Sequence, residues 1–365
     1  MTKKIVSVAL GTAMAASVLA GCGSGSTAST TAAATTAAAT TAAAAETKAE
    51  ETKAEESKTE ETKAAEAASS YEFKDTITII CPVKAGGDTD RNTRVLAEYM
   101  QKYAGVNVVV ENVDGGATVM GMQQCLDAAP DGLTLVVNGT DIFVPYMQGT
   151  SEITIDSFKT VAIPVLDNTT VLAVNKSSGW ATLEDLLKAS QAAPNTIEYG
   201  GKIGAANQIC GIAMNTEWDA GLKFVDVGNN AAKMTALLGE QTNVINISYA
   251  LAADYFSTGE FIPLCLLGAE KNELLDVPMA SDYGLKNVDF SKFFWVGTSP
   301  EAPDEVVDAL AAVIKQVTED PEFVAQMEGY YLTVRYMAGE EAQAFANAMY
   351  TDTLLPYKEA FLAQQ

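Results

Sequence analysis

The 365-residue sequence contains no histidine and only five cysteines, and these absences exclude several kinds of chemistry. Without histidine, neither a Cys–His nucleophilic pair nor a mixed Cys/His zinc site can form. The cysteines after Cys22 are widely spaced and include no CxxC pair, so we predict neither a metal site nor a cofactor. An exported chain could form a disulfide, but the sequence names no pair, and the apolar surroundings favour buried free thiols. The four are Cys81, Cys125, Cys210 and Cys265.

Positive charge is also scarce, with 23 Lys and Arg against 47 Asp and Glu and a net charge of −24. Residues 1–22 contribute +2 and residues 23–70 contribute −4, which leaves −22 on residues 71–365. A surface this acidic argues against nucleic acid as a partner. It still allows a small anionic ligand, because helix dipoles act locally and can outweigh a distant field.

The first 22 residues have the pattern of an export signal. Lys3 and Lys4 precede an apolar stretch, and the segment ends in LAGC. That ending is similar to a lipoprotein signal, so we predict that Cys22 is lipidated and anchors the chain to the outside of the cell membrane. The alternative is a soluble secreted protein with a chance cysteine at this position.

Residues 23–70 lack every large apolar side chain and contain the repeat ETKAE, ETKAE, ESKTE, ETKAA from residue 46. Such a segment cannot bury enough apolar area to offset the entropy lost on ordering. We predict a disordered linker that holds the folded part away from the membrane. A binding role for the repeat is the alternative.

From residue 71 onward, apolar strand-like runs alternate with helix-like periodicity, which predicts an α/β fold with a mostly parallel sheet. The pattern restarts at TIEYGG, so two α/β halves are expected. VLAVN (171–175) and FFWVG (293–297) are the predicted crossings between them. One domain would span 71–172 plus 294–365 and the other 173–293, with a hinge and a ligand cleft between them.

Four loops rich in Gly, Ala, Asn and Thr follow predicted strands and open predicted helices: 83–90, 113–121, 199–207 and 227–233. Ligands of open α/β sheets bind beyond the carboxyl ends of strands, where free N–H groups at helix starts favour anions. Two loops from each half suit a small molecule with a carboxylate at each end. The candidate ligand-binding residues are Lys84, Ala85, Gly86, Gly87, Asp90, Gly116, Ala117, Lys202, Gly204, Asn207, Gln208, Asn229, Asn230 and Ser248.

The loop CPVKAGGDTDRNTR (81–94) poses a problem, because it combines a Gly-Gly turn with two carboxylates. Asp90 falls in the first turn of the predicted helix, where it can cap N–H groups and hold the loop, or receive an amino group of a ligand. Arg94 lies four residues further on, within reach of Asp90. Asp88 is predicted to face solvent.

The loops match no nucleotide-binding motif, since GxxxxGK[ST] and GxGxxG are absent, and no GxSxG nucleophile motif occurs. We therefore predict that the chain is not an enzyme.

The same loop resembles the first loop of the tripartite tricarboxylate transporter receptors, also called the Bug family of solute-binding proteins. That loop reads P-x-x-x-G-G-x-x-D-x-x-x-R, which Pro82, Gly86, Gly87, Asp90 and Arg94 match in spacing. VVVENVDGGATVMG (108–121) and AAPDGLTL (128–135) also resemble family segments, VVENRPGAGGxxG and APDGYTL.

The resemblance implies a two-domain, periplasmic-binding-protein-like (type II) fold with two hinge crossings. It implies capture of a small di- or tricarboxylate, or a related organic acid, through backbone N–H groups and waters. The partners would be that acid and the integral membrane subunits of a transporter, and we expect the receptor to be a monomer. The chain departs from the pattern where YGGKIGAANQ (199–208) replaces YxSSGxGSxxH and VDVGN (225–229) replaces VPYKG. Lys202 then stands at a common glycine position and Gln208 at a common histidine position.

Two other functions remain open at this level. An exported enzyme could act on a small organic acid with the same architecture. A surface sensor or adhesin could use the acidic face to bind another protein. An amino acid is also among the ligands that the loops would suit.

Overall fold

The computed structural model describes residues 71–285 and 289–364. The predicted signal, Cys22 and the linker 23–70 lie outside the described residues. Within the described part of the chain, no helix combines the length and the apolar character needed to cross a membrane. The strands are β1 Ile77–Cys81, β2 Val108–Asn112, β3 Thr134–Asn138, β4 Lys159–Asp167, β5 Thr170–Asn175, β6 Glu198–Gly201, β7 Lys223–Asp226, β8 Val244–Ser248, β9 Phe261–Leu266, β10 Lys292–Phe293, β11 Trp295–Thr298 and β12 Thr333–Ala338.

The helices begin and end close to the predicted signals. Thr182 caps α4 in a reciprocal pair with Asp185, and Gly105, in a left-handed conformation, ends α1. The α-helices are α1 Asp88–Ala104, α2 Val119–Leu126, α3 Val144–Met147, α4 Leu183–Ala192, α5 Ala206–Glu217, α6 Asn230–Leu238, α7 Tyr249–Ser257, α8 Asp304–Glu319, α9 Pro321–Gly329, α10 Gly339–Met349 and α11 Lys358–Leu362.

The described strands form two mixed sheets. The first has the order β10-β4-β11-β3-β1-β2, with β12 also paired to β4, and the second has the order β7-β6-β8-β5-β9. The α/β prediction is confirmed, but the prediction of a mostly parallel sheet was wrong. Strands β10, β11 and β12 all run antiparallel to β4, and β5 runs antiparallel to both of its neighbours. Continuous apolar runs report burial on both faces of a strand, and they do not report strand direction.

Each sheet separates two apolar layers. In β1, Ile77 and Ile79 pack with α1 and α8, whereas Ile80 joins the larger cluster on the opposite face. All three side chains are buried, as the alternation of side chains along a strand requires when both faces are covered. Burial of each side chain contributes about 1.5–3 kcal/mol. The two layers hold the strand ends, and therefore the loops beyond them, in fixed positions.

The chain passes between the two described sheets at three places, whereas the predicted crossings at 171–175 and 293–297 lie within β5 and within β10 and β11. The predicted domain boundaries and hinge stay predictions. Only Asn168 and Thr169 separate β4 of the first sheet from β5 of the second, and the return runs from β9 to β10. After α10, a π-helical turn (Tyr350–Leu354) leads to α11, which packs against α5 beside the second sheet. The Tyr357 hydroxyl donates to Glu217 Oε1 at 3.1 Å and fixes this third connection.

Candidate functional site

A cavity of about 120 Å³ lies where ends of strands from both sheets meet. Asn138 of β3 and Lys292 of β10 line it from the first sheet, and Thr170 of β5 and Ser248 of β8 line it from the second. Three helices also begin at its wall, with Asp88 of α1, Ala206 of α5 and Asn230 of α6 in their first turns. The positive dipole ends of these helices make the cavity suitable for a negatively charged group.

Lys292 is the centre of a charged network beside the cavity. Its Nζ lies 2.5 Å from Asp88 Oδ2 and 3.7 Å from Asp167 Oδ2, and it donates to Ser248 Oγ at 2.9 Å. The Ser248 hydroxyl in turn donates to Asp167 Oδ2 at 2.7 Å. Asp167 is fully buried and also accepts the backbone N–H of Thr169 at 3.0 Å. The network thus joins α1, β8 and both crossings between the sheets.

The charges in this network shift one another's protonation equilibria. Burial alone would raise the pKa of Asp88, but the charge and hydrogen bond of the Lys292 ammonium, together with the N–H of Thr89, outweigh burial and lower the pKa to about 2. Burial opposes the charge on Lys292 as well, yet the carboxylates of Asp88 and Asp167 raise its pKa above the ordinary 10.5. The prediction that Asp88 faces solvent was therefore wrong. The sequence does not reveal that Lys292, 204 residues later, returns to this helix start.

Lys233, in the first turn of α6, is a second buried lysine in the cavity wall, with 2% of its surface exposed. Its Nζ donates to the carbonyl oxygen of Asn246 at 2.6 Å and to Asn246 Oδ1 at 3.2 Å. Burial and, secondly, the positive charge of Lys292 lower its pKa to about 7.

Two further polar atoms of the cavity wall have no hydrogen-bond partner among the described residues. They are Asn138 Nδ2 and Thr170 Oγ1, on side chains that are each 2% exposed. Because a buried donor without a partner is destabilising by about 1–3 kcal/mol, such atoms mark places where a ligand or water is expected.

Hydrogen bonds to Asp90 hold the conformation of the first predicted loop. Gly86, at φ +92°, donates its N–H to Asp90 Oδ2 at 2.9 Å. Asp90 Oδ1 accepts from Asn112 Nδ2 at 2.9 Å and lies 2.9 Å from the guanidinium of Arg94. Burial alone would raise the pKa of Asp90, and these donors together lower it. The predicted Asp90–Arg94 contact is confirmed, and the N–H of Gly86 is already occupied by the protein.

The third loop repeats this arrangement in the second half of the chain. Gly204 donates its N–H to Gln208 Oε1 at 2.9 Å, again four residues ahead, and Lys202 donates its N–H to Asn207 Oδ1 at 3.0 Å. Glycine is needed at residue 204 because φ is +71°. The third loop also approaches the opposite half of the chain, since Asp141 Oδ1, after β3, accepts the N–H of Ala206 at 3.3 Å.

The structure brings Asn207, Asn230 and Ser248 of the predicted residues to the cavity wall. The others lie in the surrounding loops. Lys84 is exposed and 3.7 Å from Asp114, and Asn229 caps α6 by accepting the N–H of Ala232 at 3.0 Å. Outside the lining of this cavity are Lys84, Ala85, Gly86, Gly87, Asp90, Gly116, Ala117, Lys202, Gly204, Gln208 and Asn229. Their contacts with a ligand stay a prediction.

The sequence did not predict the buried lysines of the site or the two donors without a hydrogen-bond partner. Lys292 carries a signal in hindsight, because it is a lone charge in the apolar run FSKFFWV. Lys233 ends the fourth predicted loop, VGNNAAK (227–233), where a first-turn lysine opposes the helix dipole. Asn138 is a polar end to the apolar strand LTLVV, and only the return of β5 beside β8 places Thr170 nearby.

Two sheets between which the chain crosses and returns, with a polar cavity where their strand ends meet, define a solute-binding protein of the periplasmic-binding-protein type. Residues 92–352 match the model of the tripartite tricarboxylate transporter family receptor, and the chain belongs to this family. The receptors of this family are extracytoplasmic binding proteins, not enzymes, and the predicted resemblance is confirmed.

Individual relatives are distant. The chain is 23% identical over 261 residues to an Agrobacterium vitis protein named for the TAR-I ttuE-ttuC' intergenic region, covering 70% of this chain and 75% of that protein. The structure of the periplasmic binding protein BugD matches with a TM-score of 0.69 at 21% identity, over 80% of this chain and 99% of BugD. MatC from Rhodopseudomonas palustris, solved with bound malate, matches with a TM-score of 0.68 at 17% identity, over 79% and 100%. These similarities establish the shared fold.

Proposed function

We propose that the chain captures a small organic acid in the cavity between its two sheets and delivers it to the membrane subunits of a tripartite transporter. The unpaired donors Asn138 Nδ2 and Thr170 Oγ1, which line the same cavity as Lys233, are the observation that carries this proposal. All are buried in one cavity at the starts of three helices, and a carboxylate accepts such donors. The malate in MatC supports the same class of ligand.

A larger depression near the C-terminus supports no such role. It holds about 500 Å³ and is lined by Glu217, Asp289 and Asp352. Lysine and arginine are missing from its described lining, so carboxylates would repel an organic acid there.

The purified full chain should be stabilised by at least one acid in a panel of malate, succinate, citrate and glutamate. A ligand that binds only the folded state raises the apparent stability by about 2.7 kcal/mol at one hundred times its Kd. Thermal unfolding, followed by calorimetric titration, measures this effect. The neutral diamide of malate serves as the control. Absence of stabilisation by every acid would contradict the proposal, and turnover of a bound acid would favour the enzyme alternative.

We further propose that Cys22 carries a lipid that anchors the receptor as a monomer outside the cell membrane, with residues 23–70 as its spacer. LAGC at the end of the export signal supports this arrangement. Cys22→Ser should abolish incorporation of radiolabelled palmitate and release the chain into the soluble fraction. Cys81→Ser is the matched control and should leave labelling unchanged, since Cys81 is buried. Labelling of the Cys22→Ser variant would contradict the assignment.

A further inference from the structure

The two lysines that line the cavity differ in their partners. Lys292 contacts the carboxylates of Asp88 and Asp167, so its charge is balanced within the protein. Lys233 is more deeply buried, yet within the described residues no carboxylate oxygen lies within 4.0 Å of its Nζ. An ammonium has three N–H donors, and Asn246 provides the two acceptors that Lys233 contacts.

A buried cation without an anionic partner is unfavourable, because burial removes its hydration without returning an equal attraction. The folded chain retains this lysine in the wall of the cavity that the unpaired donors Asn138 Nδ2 and Thr170 Oγ1 also line. A carboxylate that enters the cavity would satisfy both donors and balance the charge.

We infer that Lys233 is the specificity-determining residue of the site: its ammonium pairs with the carboxylate of the ligand, and binding of the anion is coupled to protonation of this amine. The inference rests on the proposed function and adds to it the residue that selects an acid over its neutral amide. It also makes affinity depend on pH.

The groups around Lys233 set the direction of that dependence. Lys292 from β10 opposes its charge, whereas Asp88 from α1, Asp141 after β3 and Cys210 from α5 favour it. The pKa of Lys233 is lowered to about 7, while burial raises the pKa of the Cys210 thiol to about 12 and the chain has no histidine. Below pH 7 the amine is already charged and the anion binds directly. Above pH 7 the amine is neutral in the free protein, so the anion must bind together with a proton.

The test measures the Kd of the tightest-binding acid of the malate, succinate, citrate and glutamate panel between pH 6 and 9.5. We expect a nearly constant Kd below the pKa and a rise of about tenfold per pH unit between pH 8 and 9. Calorimetric titration at pH 8.5 in two buffers of different ionisation enthalpy should show uptake of about one proton per ligand. A flat profile with no proton uptake would overturn the inference.

Lys233→Met removes the charge and keeps the length of the side chain. At pH 6.5 it should raise the Kd at least about tenfold, and it should abolish the pH dependence and the proton uptake. Lys188→Met, on the exposed face of α4, is the matched control and should behave as the original protein. Unchanged affinity and pH dependence in Lys233→Met would overturn the inference but not the proposed function. If the original chain binds no acid of the panel, the inference and the proposed function are both contradicted. If Lys233→Met does not fold, the pH profile and proton uptake of the original chain test the inference instead.

Discussion

Replacing Lys292 with methionine should lower the free energy of unfolding by about 3–5 kcal/mol, because it leaves buried carboxylates without their counter-ion. Asp167 has no exposed surface, and only 15% of the Asp88 side chain is exposed. Both lose the Lys292 ammonium, and Ser248 Oγ loses a donor at 2.9 Å. Urea unfolding monitored by circular dichroism measures the loss.

The best control is an ion pair of the same length in a different environment. Lys176 and Glu260 also lie 2.5 Å apart, but their side chains are 54% and 40% exposed. Exposed pairs contribute about 0–1 kcal/mol, so Lys176→Met should have a small effect. Adding Asp88→Asn to Lys292→Met should restore part of the stability, because it removes one of the orphaned charges. Equal effects of the two lysine substitutions would contradict the role of burial.

The same network predicts how stability responds to acid. The carboxyl pKa of Asp88 is lowered from 3.8 to about 2, so the folded state favours its charged form. Its contribution is therefore complete above the unfolded pKa near 4 and is lost as the pH falls towards 2. The shift corresponds to about 2 kcal/mol. Lys292→Met removes its cause, and the variant should show a correspondingly smaller loss of stability across this interval.

Much of the fold could be predicted because it depends on short-range signals. Apolar runs marked the strands, and Thr182 with Asp185 marked the start of α4. The direction of β4 and β12 could not be predicted, because burial patterns look the same in parallel and antiparallel neighbours. The return of the C-terminal segment to α5 was also hidden, since it depends on the Tyr357–Glu217 contact across 140 residues.

The sequence indicated the kind of loop that surrounds the cavity, but not the charges that line it. Loops that open helices can be recognised by composition, and Asn207, Asn230 and Ser248 do line the cavity. The charges that control it lie far apart along the chain. Lys292 and Asp88 meet only because β10 joins the first sheet beside β4. From the sequence alone, a single lysine in an apolar segment is predicted to lie at the surface, because neither its partner nor a cavity is known.

Asp90→Ala should destabilise the first loop and weaken ligand binding together. The side chain accepts hydrogen bonds from Gly86 and Asn112 and pairs with the half-exposed Arg94, and a hydrogen bond to a charged group contributes about 1.5–3 kcal/mol. We expect the free energy of unfolding to fall by about 2–3 kcal/mol. Because this loop leads directly into the start of α1, its loosening also displaces Asp88 from Lys292 at the cavity wall. The Kd for the bound acid should therefore rise at least about tenfold, which calorimetric titration measures.

Asp185→Ala provides a matched control for Asp90→Ala. Asp185 Oδ2 accepts the N–H of Ala181, four residues earlier, at 3.1 Å, which is the same local brace at the start of α4. Asp185 is half-buried and does not line the cavity, so its loss should reduce stability modestly, as the loss of a helix cap does, and leave the Kd unchanged. If Asp90→Ala instead tightens binding of every acid in the panel, the carboxylate acts on the ligand by repulsion, and its role is selection rather than support of the loop.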